Sequence, residues 1–189
     1  MYDPPCQCPN ALKCGGCARE VTLIPVTTTE DINTLAALAK GIWEEHFTPI
    51  IGAGQVAYML EKFQSVPAIT EQLQNGYRYF FIAKEGEPIG YTGIKAENGK
   101  LFLSKLYLRK DTRGNGYASQ VFALLEELCK AEGLSAIWLT ANRYNYGAIA
   151  VYKKKGFETI RTQVADIGGG YVMDDYIMEK AIGGGADAV

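Results

Sequence analysis

The sequence predicts an α/β fold: one mixed sheet with helices on both faces. Two observations predict it. Stretches of helical period alternate with stretches of strand period in the order β-α-α-β-β-β-α-β-α-β-β, which needs a sheet covered from two sides. The run Leu101 to Leu108 is apolar at both odd and even positions, Ser104 and Lys105 excepted, as in a central strand buried on both faces.

Each element has its own signal. EVTLIPV, Glu20 to Val26, reads as a strand. TTTED follows, with Thr28 or Thr29 as N-cap and acids in the first turn, so a helix starts there. Its apolar positions are Ile32, Leu35, Leu38 and Ile42. AGQVAYMLEKF is a second helical stretch, and the shorter PAITEQLQNG ends on Gly76. Three β runs come next, split at Gly86 and at Asn98-Gly99, the latter a strong hairpin signal. A helix beginning at RGNGYA buries Val121, Leu124, Leu125 and Leu128. Cys129 on it reads as a small core hydrophobe. A short strand AIWLTA, a helix NYGAIAVYKKKG and the strands FETIRTQVAD and YVMDDYIMEKA complete the chain.

Composition bounds the rest. At 189 residues, 48% hydrophobic and 21% charged, the chain suits one folded domain. We place that domain at 20–182, between a cysteine-rich leader, 1–19, and a glycine-rich tail, 183–189. A net charge of −2 gives no electrostatic reason to expect nucleic acid or an anionic membrane. No apolar run is long enough for a membrane span, and the N-terminus lacks the basic start and apolar stretch of a secretory signal. The expected location is the cytoplasm. In a reducing compartment the leader's Cys6, Cys8, Cys14 and Cys17 suggest a structural zinc more than disulfides. An inert leader is the alternative, since the C-x-C half is not ordinary finger spacing.

The informative stretch is RGNGYA, Arg113 to Ala118. Glycine costs about 1 kcal/mol relative to alanine inside a helix, yet Gly114 and Gly116 stand where a helix begins. A helix N-terminus offers unpaired N–H groups and a partial positive charge. Glycines before it let a large anion approach the main chain. Arg113, Gly114, Asn115, Gly116, Tyr117 and Ala118 therefore read as a phosphate cradle. A plain strand-to-helix turn needing positive φ explains the glycines equally well. The stretch is neither a Walker loop nor a dinucleotide G-x-G-x-x-G fingerprint.

RGNGYA after LYLRKD resembles the R-x-x-G-x-A pyrophosphate loop of the GNAT superfamily of N-acetyltransferases. NYGAIAVYKKKGF, Asn145 to Phe157, resembles that superfamily's N-x-x-A-x-x-x-Y-x-x-x-G-F signature. The pair stands in the expected order, one helix and one strand apart. Within the superfamily, IWEEHFTPIIG and YVMDDYIMEK resemble bacterial acetyltransferases of polyamines and other small amines. The resemblance implies a sheet splayed into a V at the strand before RGNGYA. It implies that main-chain groups of Leu106, Tyr107 and Leu108 hold the pantetheine arm of acetyl-coenzyme A, with Asn145 on the other side. It also implies Tyr152 as the acid that protonates the leaving thiolate.

The base is open. Ser104 stands where many relatives carry Glu, and it cannot act as a strong base. Glu44, Glu45 and His46 border the expected acceptor site, but a lone His at a helix end is commonly a cap or surface residue. Asp174 and Asp175 could attract a cationic acceptor, or simply face solvent. Trp43 and Trp138 read as core or pocket wall. The expected activity is acetyl transfer to a small primary amine by direct attack in a ternary complex, in a monomer or homodimer. Acetylation of a protein lysine or N-terminus, and a non-catalytic acyl-coenzyme A sensor, are the alternatives.

Overall fold

The computed structural model describes residues 20–183; the leader cysteines lie outside them. Strand β1 (Val21–Pro25) leads to three helices, α1 (Thr29–Ile51), α2 (Ala53–Gln64) and α3 (Val66–Gln74). Strands β2 (Arg78–Lys84), β3 (Glu87–Glu97) and β4 (Lys100–Leu108) follow, then α4 (Tyr117–Ala131), β5 (Ala136–Asn142), α5 (Tyr146–Lys154), β6 (Glu158–Gly168) and β7 (Tyr171–Ala181). The condensed element order counts two helices after β1, but all three helical stretches read there form separate helices. Ser65 ends α2 and caps α3, its side chain accepting from the Ala68 N–H, with a proline in the first turn, a combination that starts a new helix. Thr28 is the N-cap of α1, and Asp31 reciprocates in a capping box.

The seven strands form one mixed sheet in the order β1-β2-β3-β4-β5-β7-β6. Helices cover both faces, as expected. On one face Leu35, Ile42 and Ile69 from α1 and α3 pack on Tyr79, Phe81 and Tyr91. On the other, Val121, Phe122, Leu125 and Cys129 of α4 and Ile149 of α5 pack on Leu101, Leu103 and Ile137. Leu128 is only partly buried at the edge of that cluster.

Two details of β4 position everything that follows. Its parallel pairing with β5 consists of Leu101 opposite Ile137 and Phe102 opposite Trp138. Beyond Phe102 the strands part, while β5 stays paired with β7 as far as Asn142. The sheet therefore opens as a V towards the C-terminal end of β4. Within β4, Leu103 faces Ile94 and Lys105 faces Gly93, so Ser104 has no partner in β3. This bulge resets the side-chain alternation. Ser104 and Lys105, neighbours in sequence, both come to the face under α1–α3, and Lys105 Nζ lies 3.3 Å from Ser104 Oγ.

Candidate active site

Two cavities flank the open end of β4, and Tyr107 belongs to the walls of both. The first, about 420 Å³, runs between β4, the N-terminus of α4 and α5. It gathers nearly all the sequence-predicted residues: Leu106, Tyr107, Leu108, Arg113, Gly114, Gly116, Tyr117, Ala118, Asn145 and Tyr152. Gly114 and Gly116 have φ of +82° and +80°, values that L side chains avoid. A Cβ on either would meet no atom within 4 Å. The turn thus needs glycine for its conformation, and it also leaves the α4 N-terminus bare. Asn115 does not reach the cavity wall; its amide donates to the Thr112 and Arg113 carbonyls and holds the turn. Arg113 is partly engaged within the protein, its Nε donating to the Leu108 carbonyl at 2.9 Å.

His46 is placed differently from the sequence expectation. It lies within α1, not at its end, and enters the wall of this first cavity. Its Nδ1 is 3.4 Å from Arg113 Nη1, and its Nε2 is 3.4 Å from Asn145 Nδ2. Both neighbours are donors, and a neutral imidazole can accept at only one nitrogen. Burial, and then the Arg113 charge, lower the His46 pKa below its ordinary value, so the ring is neutral at pH 7. It bridges the α4 and α5 walls. Glu44 and Glu45 instead point to solvent beside Lys40 and Lys110.

Tyr152 packs against Phe122 and Phe157, ring centroids 6.1 and 6.0 Å away. Burial pushes its hydroxyl up to about 12, so the proton stays on oxygen at neutral pH and can be donated.

The second cavity, about 600 Å³, lies on the α1–α3 side. Trp43, Phe47, Met59, Phe63 and Phe102 supply apolar wall, and Ser104, Lys105, Gln72, Thr140, Asn142 and Asp175 supply polar groups. Trp43 is anchored by its indole N–H donating to the Tyr91 hydroxyl at 3.1 Å, whereas Trp138 stacks on Phe102 away from the cavity. Asp174 and Asp175, neighbours on the last strand, are placed differently. Asp174 forms an ion pair with Arg143 at 2.9 Å, but Asp175 is 5% exposed and lines the cavity. Burial, and then the neighbouring Asp174 charge, push its carboxyl up to about 6.

That shift carries a stability prediction. The Asp175 pKa is raised from 3.8 in the unfolded chain, so its contribution favours folding below that value and is lost as pH rises through about 6. At pH 8 the fold holds a buried carboxylate at a cost. Asp175→Asn should therefore stabilise the protein by about 1–3 kcal/mol at pH 8 and by almost nothing near pH 4. Thermal melts at the two pH values test this; an equal gain at both would rule out the charge as the cause.

Comparison with known proteins agrees with this architecture. Residues 39–157 match the family model described as "Acetyltransferase (GNAT) family". An uncharacterized N-acetyltransferase of Mycobacterium tuberculosis is 26% identical over 154 residues, covering 80% of this chain and 98% of the relative. The crystal structure of PaiA N-acetyltransferase from Thermoplasma acidophilum in complex with coenzyme A has a TM-score of 0.68 at 21% identity, covering 85% of this chain and 98% of that one. The ribosomal-protein-S18-alanine N-acetyltransferase of Escherichia coli has a TM-score of 0.63 at 18% identity, covering 89% and 98%. Among the described residues no helix is long and apolar enough to cross a membrane, and no group of three or more His, Cys, Asp or Glu could hold a metal ion. With more than half of its length inside the family model, and with that family's V-shaped opening and glycine-bare helix start in place, the chain belongs to the GNAT family of acetyltransferases.

Proposed function

We propose that this acetyltransferase moves the acetyl group of acetyl-coenzyme A to a small primary amine, by direct attack in a ternary complex. One observation carries the reading: two separate cavities share the wall residue Tyr107. Such an arrangement lets a donor and an acceptor meet without a covalent enzyme intermediate. The first cavity takes the donor. The pyrophosphate sits on the bare N-terminus of α4 beside Arg113. The pantetheine amides use the β4 edge that β5 leaves free, at Leu106 to Leu108, with Asn145 opposite. The second cavity, roofed by three helices, has the size and apolar walls of a small-molecule site.

In the transfer, the amine nitrogen attacks the thioester carbon to form the C–N bond of a tetrahedral intermediate, whose collapse restores the carbonyl and breaks the C–S bond. The ammonium acceptor gives up two protons in all, one to a base before attack and one from the tetrahedral intermediate. Tyr152 donates its hydroxyl proton to the departing sulfur and is reprotonated by the second of these.

An acceptor screen following free thiol release from acetyl-coenzyme A tests the reading, with diamines, amino acids and peptides as acceptors. Turnover confined to peptides would replace it with protein acetylation. Binding of acetyl-coenzyme A without turnover on any acceptor would make the chain a sensor. Residues 20–182 form the transferase domain in this proposal, and the leader holds one zinc through Cys6, Cys8, Cys14 and Cys17. Elemental analysis of the untagged chain finding no metal would remove the zinc.

A further inference from the structure

Among the described residues only two charged side chains are buried, Lys105 and Asp175. They carry opposite charges, and both line the same cavity. Neither has an ionic partner among those residues. Lys105 is 7% exposed. Its Nζ donates to Gln72 Oε1 at 2.9 Å and lies over the rings of Tyr77 and Tyr79. Asp175 Oδ1 is buried and has no hydrogen-bond partner. The two do not meet in an ion pair either. Isolated buried charges are costly, and burial alone lowers the Lys105 pKa to about 7. A fold needing only a packed wall would place apolar side chains at both positions. An oppositely charged ligand at each position removes the cost.

The geometry points to an acceptor that carries a carboxylate as well as its primary amine, with the ammonium held by Asp175 and the carboxylate by Lys105. This specificity rests on the small-amine reading and deepens it. Asp175 also supplies what Ser104 lacks. It stands opposite Asn142 at the open end of the V, close enough to Tyr107 for its charge to act on that phenol at the wall between the cavities. Its carboxylate accepts the proton that the ammonium must lose before the nitrogen attacks. The bulge at Ser104 is what turns Lys105 into the cavity. In an unbroken strand Lys105 would point to the opposite face.

The test pairs acceptors that differ only in the carboxylate: glycine with methylamine, 3-aminopropanoate with ethylamine, 4-aminobutanoate with propylamine, and 1,4-diaminobutane as the dication. Wild-type enzyme should favour the amino acid of at least one pair by about tenfold or more in kcat/KM, the effect of one desolvated charged hydrogen bond. In Lys105→Met that ratio should collapse towards one, through KM more than kcat. Asp175→Asn should lower kcat for both members of the pair, with acetyl-coenzyme A affinity, read by calorimetry, confirming a folded protein. Preference for the plain amine or the diamine in wild type would overturn the carboxylate assignment and leave the small-amine reading intact. Turnover of peptides alone would overturn both. The wild-type comparison stands even if a variant fails to fold.

Discussion

Tyr152→Phe is expected to lower kcat for acetyl transfer by about 10²–10⁴-fold, the usual range for a general acid, with little change in affinity for acetyl-coenzyme A. The phenyl ring keeps the packing on Phe122 and Phe157, so only the hydroxyl is removed. Its raised pKa, about 12, keeps it a donor at any pH the enzyme works in. A thiolate with an ordinary pKa near 8.5 is a fair leaving group, so the hydroxyl assists departure without being indispensable. Steady-state kinetics and calorimetry separate the outcomes. An equal loss in binding would make Tyr152 a wall of the donor cavity. Unchanged turnover would mean that water supplies the proton.

The second large effect is expected at the helix start. Gly116→Asn and Gly116→Asp have nearly the same shape, and both residue types tolerate the left-handed backbone found there. Glycine's role in the turn is therefore approximately preserved in either variant. If the bare backbone is a phosphate cradle, both should weaken coenzyme A binding. The aspartate should cost about 10–100-fold or more, because its charge opposes the pyrophosphate and competes for the α4 N–H groups. Calorimetry on folded Gly116→Asp showing wild-type affinity would sink the cradle. Equal effects of Asn and Asp would leave it as a steric requirement alone.

The sequence by itself determined whatever depends on short-range chemistry. The N-cap at Thr28 or Thr29, the Asn98-Gly99 hairpin, the glycine-bare start of α4 and the α5 segment with Asn145 and Tyr152 are each written in a few adjacent residues. The structure puts each where the spacing predicts. Those signals sufficed for the fold class and for most of the residues that line the first cavity.

The second cavity was decided only in three dimensions. A strand read by alternation puts Ser104 and Lys105 on opposite faces; the bulge that unites them is set by pairing with Ile94 and Gly93 on β3. His46 read as a helix end because nothing local shows that α1 runs on to Ile51 or that Arg113 and Asn145 converge on the ring. Asp174 and Asp175 are indistinguishable as a dipeptide. One meets Arg143 and the other is buried in the wall of the cavity beneath the helices. Burial and charge pairing are sums over residues far apart in the chain, and the ionisation of Lys105 and Asp175 follows from those sums.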